Sequence, residues 1–206
     1  MEIQHPFRVV TPTLDGDVLS VLASATAEFT PPEVQRLIGD HSVDGVRRAL
    51  ARLVDQGVVG QQRSGNATRY WLNRDHLAAP AIIELATLQQ QLIDRLRGLI
   101  ESWAVPCEYA ALFGSAVRGT MTRSSDIDVF IVRSSNVDPE SATWTGQTTA
   151  AVRAVAKWTG NDARILELDI HQATVGLVKH DPVLTTVRDE GIWLAGPIGY
   201  LRGPQR

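Results

Sequence analysis

The sequence predicts two domains, a small helical one closed by a β-hairpin and a larger α/β one that carries the chemistry. Three observations lead there. Two apolar runs, Tyr109 to Phe113 and Ile127 to Val132, flank a loop rich in Gly, Thr, Ser and Arg, the pattern of two buried strands around a polar, phosphate-sized gap. Short helical stretches and a hairpin signal fill the region from Asp15 to about Asp75. Between them Ile82, Leu85, Leu88, Leu92, Leu96, Leu99 and Trp103 recur at three- and four-residue steps, the spacing of an amphipathic helix. The expected boundaries are 1–76, a connecting helix over 77–104, and 105–206.

Composition sets the class. Hydrophobic residues make up 44% of the 206, and no apolar run approaches the roughly eighteen residues of a membrane span, so a soluble globular protein without a membrane partner is expected. The opening MEIQHPFRVV has an acid at position two and no long apolar core, unlike a signal peptide. A single cysteine, Cys107, excludes an internal disulfide, suits a reducing cytoplasm and reads as a small buried hydrophobe. The histidines at 5, 41, 76, 171 and 180 lack zinc-site spacing. A net charge of −3 gives no global pull toward nucleic acid.

In chain order, Val18, Leu19, Val21 and Leu22 mark a first helix. Thr30 caps a second that starts at Pro31-Pro32 and runs to about Ile38. After a Gly39-Asp40 break, Ser42 caps a third. Its positions Val43, Val46, Ala49, Leu50, Leu53 and Val54 form one stripe and leave Arg47, Arg48 and Arg52 largely outside it. Val58 to Gln62, the turn Ser64-Gly65-Asn66 and Thr68 to Leu72 make a hairpin. This order resembles a winged helix-turn-helix domain. The resemblance implies duplex DNA as a partner, with Arg47, Arg48 and Arg52 on the groove-entering helix and Arg63 and Arg69 on the wing. Residues 1–76 hold eight arginines against nine acids, so only one face can be basic, and docking or dimerisation is the competing role.

The connecting helix begins at Ala79-Pro80 and ends at Val105-Pro106. Its stripe suits packing on the following sheet, and a homodimer contact is the sharper alternative. Beyond the polar gap, Pro139-Glu140 starts a helix to Lys157-Trp158, interrupted at Gly146; Gly160-Asn161 turns into a strand, Ala163 to Ile170. Asp181-Pro182 caps a last helix, Val183 to Glu190, before a short strand Ile192 to Leu194 and a polar tail. Trp158 and Trp193 read as core residues.

The chemistry lies in Leu112 to Val132. On a strand Asp126 and Asp128 face the same way, with Cα atoms roughly 7 Å apart. Two carboxylates so placed repel, and a hard divalent ion such as Mg2+ meets their need, because it is often held by one or two carboxylates plus water and substrate phosphates. Gly114 lets backbone approach a ligand closely, and the amides and hydroxyl at Ser115 suit phosphate oxygens. Arg118 and Ser125 lie in the same loop and complete the expected substrate-binding set.

Gly114-Ser115, ten intervening residues and then Asp126-x-Asp128 resemble the signature of the polymerase-beta-like nucleotidyltransferases, most closely the minimal nucleotidyltransferases of bacteria and archaea. The resemblance implies an α/β (α+β) domain with a mixed sheet. It also implies two Mg2+ ions, with Mn2+ as an alternative, and transfer of a nucleoside monophosphate such as AMP from a nucleoside triphosphate to a hydroxyl on protein or RNA. A third metal-binding carboxylate comes from a later strand in that family. Glu167 and Asp169 share parity on the Ala163 strand, and that parity is expected to aim both at the metals. Glu167 is placed first, since an ionised carboxylate among Ile165, Leu166 and Leu168 asks for a cation; Asp169, beside His171, is the alternative. The competing function is a DNA-binding regulator whose second domain senses nucleotide or a partner without turnover.

Overall fold

A computed structural model describes residues 1–39 and 41–202. Asp40 of the expected Gly39-Asp40 break and the end of the polar tail, 203–206, lie outside the described residues. The chain forms two compact units. One contains Glu2 and Gln4–Gln89, the other Met1, Ile3 and Gln90–Arg206.

In the first unit, a 3-10 turn at Pro6–Val9 precedes α1 (Leu14–Ser24), α2 (Pro31–Ile38) and α3 (Val43–Asp55). The expected caps form. Thr30 and Glu33 make a capping box, and the Ser42 hydroxyl accepts from the Gly45 amide at 3.1 Å. β1 (Val59–Ser64) and β2 (Ala67–Leu72) pair antiparallel around Gly65-Asn66, where Gly65 takes a φ of 59° that a two-residue turn requires. Phe29 adds a bridge to Tyr70, with reciprocal backbone hydrogen bonds of 2.8 Å. Three helices, a bridging segment and a hairpin in this order make the unit a winged helix-turn-helix. Val18, Leu22, Val34, Val46, Leu50 and Leu72 form its core, so the stripe expected on α3 is the buried one.

The stretch expected to be one connecting helix is two. α4 (Ala79–Ala86) ends at Thr87, and α5 (Leu88–Glu101) follows. The stripe divides between two cores: Ile82 belongs to that of the first unit, whereas Leu92, Ile93, Leu96 and Ile100 belong to that of the second. Its buried positions are spent inside the units.

The second unit is built on a four-stranded mixed sheet of β3 (Tyr109–Phe113), β4 (Ile127–Arg133), β5 (Ala163–Asp169) and β6 (Ile192–Ala195), in the order β5-β4-β3-β6. β3 runs antiparallel to β4 and β6, and β4 runs parallel to β5. A short α6 (Ser115–Arg118) follows β3. α7 (Ala142–Thr159) connects β4 to β5, and α8 (Ile170–Val178) and α9 (Pro182–Glu190) lie between β5 and β6. Alternation along β4 sends Ile127, Val129 and Ile131 to a core with α5 and α7, and Phe130 and Val132 to a second core with α8 and α9.

Three local expectations need correction. α7 starts at Ala142 rather than Pro139. Gly146 lies within it without interrupting it and faces open space. The strand expected through Ile170 stops at Asp169, whose side chain caps α8 and accepts from the Gln172 amide at 2.8 Å. Cys107 is half-buried against the core with α5 and α7, and burial pushes its thiol up to about 11.

Candidate nucleotide and cation site

The site lies where β3 ends and β4 begins. Gly114 leaves β3 with a φ of 76°, and a Cβ placed on it would lie 2.5 Å from Asp128 Oδ2. Only glycine allows the turn and the carboxylate to come this close. α6 then carries the chain to Gly119, which takes the left-handed conformation, and into a loop held by hydroxyl contacts. The Thr122 amide donates to Ser125 Oγ at 2.9 Å. The buried Asn161 amide donates to the carbonyls of Arg123 (3.1 Å) and Ser125 (2.9 Å), and the Ile127 amide donates to Asp162 O at 2.8 Å. Ser125 therefore holds the loop shape, and Asn161 fastens the loop just ahead of the acidic pair. In the sequence Asn161 reads only as a turn residue, and its role comes from burial against the motif loop.

Asp126 and Asp128 converge as parity requires. Burial holds the Asp128 carboxyl above its ordinary range, the neighbouring Asp126 charge adds to this, and Arg164 and Arg118 oppose it. Arg164 Nε donates to Asp126 Oδ2 at 2.6 Å. Arg118 reaches Glu190 on α9 at 3.3 Å. Two crowded carboxylates, one of them pushed toward its neutral form, fit a divalent cation whose remaining ligands are phosphate oxygens and water.

The third carboxylate is where the structure departs from expectation. In the parallel β4–β5 pair, Asp128 stands opposite Arg164, Phe130 opposite Leu166 and Ile131 opposite Glu167. Glu167 therefore shares a face with Ile131, turned toward α5 and α7 and away from Asp126 and Asp128. Its oxygens are engaged there: Arg133 Nε donates to Oε1 at 2.7 Å and Trp144 Nε1 to Oε2 at 2.8 Å. The parity shared by Glu167 and Asp169 held, but its phase relative to the Asp pair was the reverse of that expected. Asp169 also lies on the wrong face and caps α8. Among the described residues no group of three or more His, Cys, Asp or Glu is placed to hold a metal.

On the winged-helix unit, Arg47 pairs with Asp44 at 2.8 Å, and Arg52 makes two bonds to Asp15 at 3.0 and 2.7 Å. Arg48 and Arg63 are exposed and Arg69 half-buried. A cluster unseen in the sequence surrounds the buried Asp17, approached by His5 at 3.4 Å, Arg8 at 3.5 Å and His41 at 3.7 Å. Trp158 and Trp193 pack at the edges of their cores under Arg95 and Arg97. Among the described residues no helix is long and apolar enough to cross a membrane.

A mixed sheet with a Gly-Ser turn set against paired carboxylates at its strand ends can seat a nucleotide's phosphates beside a divalent cation. Residues 103–194 match the family model for the nucleotidyltransferase domain. No curated protein matches the chain. Solved structures share loose likeness. A toxin-antitoxin MntA-HpeT mutant is 19% identical, with a TM-score of 0.36 over 51% of this chain and 73% of that one. A toxin-antitoxin structure with AMP-PNP is 18% identical, with a TM-score of 0.38 over 53% and 77%. TrmBL2, an archaeal chromatin protein described as binding DNA, is 12% identical, with a TM-score of 0.27 over 85% and 71%. At such scores these likenesses carry no argument.

Proposed function

We propose that the C-terminal domain transfers a nucleoside monophosphate, with AMP the first to test, from a nucleoside triphosphate to a hydroxyl on a protein or an RNA. The observation that carries this is the close approach of the Gly114 turn to Asp128 beside Asp126. The Gly114-Ser115 backbone and the Ser115 hydroxyl receive phosphate oxygens, and Arg118 adds positive charge at the mouth of the site. Asp126 and Asp128 would hold a divalent cation, Mg2+ or Mn2+, which lowers the pKa of the attacking hydroxyl and offsets charge on the phosphates. The acceptor oxygen loses its proton to solvent and bonds to the α-phosphorus, the α–β bridging bond breaks, and pyrophosphate leaves with its electron pair. Ser125 and Asn161 act on the loop that positions Asp126.

The N-terminal domain takes duplex DNA along the exposed side of α3, with Arg48 and Arg47 on the helix and Arg63 and Arg69 on the wing. Arg52 serves first to tie α3 to α1 through Asp15. With one cysteine, raised in pKa by burial, the protein suits the cytoplasm. One observation favours a second reading: an arginine rather than an acid stands beside the Asp pair on β5, which suits nucleotide sensing without turnover. Incubation with radiolabelled nucleoside triphosphates, Mg2+ and candidate protein and RNA acceptors separates the two. Label transfer that Asp128→Asn abolishes supports the enzyme. Cation-dependent nucleotide binding with neither transfer nor pyrophosphate release supports the sensor.

A further inference from the structure

β5 offers one face to the Asp pair, and Arg164 is the residue on it in register with Asp128. The next two positions on that face, Leu166 and Leu168, are apolar. Both acids of the strand point the other way. Glu167 is committed to Arg133 and Trp144, and Asp169 caps α8. The side chain that reaches the site from β5 is therefore a permanent cation, since a guanidinium does not deprotonate in a protein. It touches Asp126 at 2.6 Å although 76% of its surface is open to solvent.

We propose that Arg164 takes the place of a third carboxylate and of a second metal ion, so that this site binds its nucleoside triphosphate with one divalent cation. A second divalent ion needs an anionic ligand from β5, which this face lacks, and would stand beside the Arg164 charge already paired with Asp126. The guanidinium instead supplies the second positive charge, with a planar fork of donors that suits both the Asp126 carboxylate and a phosphate oxygen. This inference rests on the nucleotide-binding reading of the Gly114–Asp128 site.

The test uses the full chain with Mn2+ and α,β-methylene-ATP, counting Mn2+ per bound nucleotide by equilibrium dialysis and recording its electron paramagnetic resonance spectrum. The wild type is expected to bind one Mn2+ with an uncoupled spectrum. Arg164→Asp supplies the missing acid and is expected to bind two, close enough to show magnetic coupling. Arg164→Ala keeps one ion and binds it about tenfold tighter, because a like charge near the ion is removed. Two coupled ions in the wild type overturn the proposal and leave nucleotide binding standing. A folded Arg164→Asp variant that stays at one ion overturns it as well. If Arg164→Asp fails to fold, the wild-type count and the Arg164→Ala affinity decide. No Mn2+-dependent nucleotide binding in the wild type, or binding that survives Asp126→Asn, removes the underlying site and the inference with it.

Discussion

Glu167 looks like a metal ligand in the sequence and is a structural counter-ion in the fold, and a substitution separates the two. Arg133 is only 8% exposed, and Glu167 is its carboxylate partner. Breaking a buried pair by removing one member costs about 3–5 kcal/mol. Here Glu167 keeps some solvent, and Arg133 retains bonds to the Ser134 and Val137 carbonyls, which lowers the loss to roughly 2–3 kcal/mol. The orphaned Trp144 N–H, on a ring that is fully buried, adds about 1 kcal/mol. Glu167→Ala should therefore destabilise the C-terminal domain by about 3–4 kcal/mol, which for a domain of this size is roughly 10–20 °C in Tm. Glu167→Gln keeps one acceptor and should lose about half as much. Urea unfolding followed by tryptophan fluorescence measures the loss, and Mn2+ titration at a temperature where the variant is folded should match the wild type. A variant of wild-type stability that no longer binds Mn2+ would refute the placement of Glu167.

Four further outcomes follow from the structure. Asp128 has a folded pKa raised by burial and by Asp126, so its penalty is absent below the unfolded pKa and sets in as pH rises through the folded one. Without metal, Asp128→Asn should thus match or exceed wild-type stability at pH 7, by under about 1 kcal/mol because the carboxyl is partly solvated; urea midpoints should converge as pH falls toward 4, and a variant less stable than wild type at pH 7 contradicts this. Gly114→Ala places a methyl against Asp128 Oδ2 in a left-handed backbone, which should cost about 1–3 kcal/mol and abolish nucleotide binding by calorimetry. On the other unit, Arg48→Ala should weaken duplex DNA binding about tenfold in mobility shifts, with affinity falling as salt rises. Arg52→Ala should instead lower the urea midpoint of this unit slightly with the loss of its Asp15 pair, and no DNA binding at low salt would leave the unit a docking module.

Much of the fold could be read from sequence because local rules and burial agree there. The caps at Thr30 and Ser42, the α3 stripe and the apolar runs of β3 and β4 each answer to one periodicity and one neighbouring partner. The Gly114-Ser115 and Asp126–Asp128 halves were legible for a similar reason, since β3 and β4 are antiparallel neighbours with the motif loop between them. Glu167 failed for a reason sequence does not reveal. A strand's parity shows which residues share a face, but which face meets the neighbour's depends on pairing register, and a shift of one residue exchanges the two. Asp169 was read as strand although Asp169-x-x-Gln172 is a capping-box signal. Arg164 was passed over because its meaning arises only from lying opposite Asp128.

The central claim, that Asp126 and Asp128 hold a cation for a nucleotide seated on the Gly114 turn, is met most directly by calorimetric titration of α,β-methylene-ATP into the full chain. Titrations are run with Mg2+ and with chelator, for the wild type, Asp126→Asn and Asp128→Asn. Binding by the wild type in Mg2+ alone, lost in both variants while their unfolding curves stay intact, is the predicted result. Equal binding in chelator, or wild-type binding by either folded variant, would contradict it.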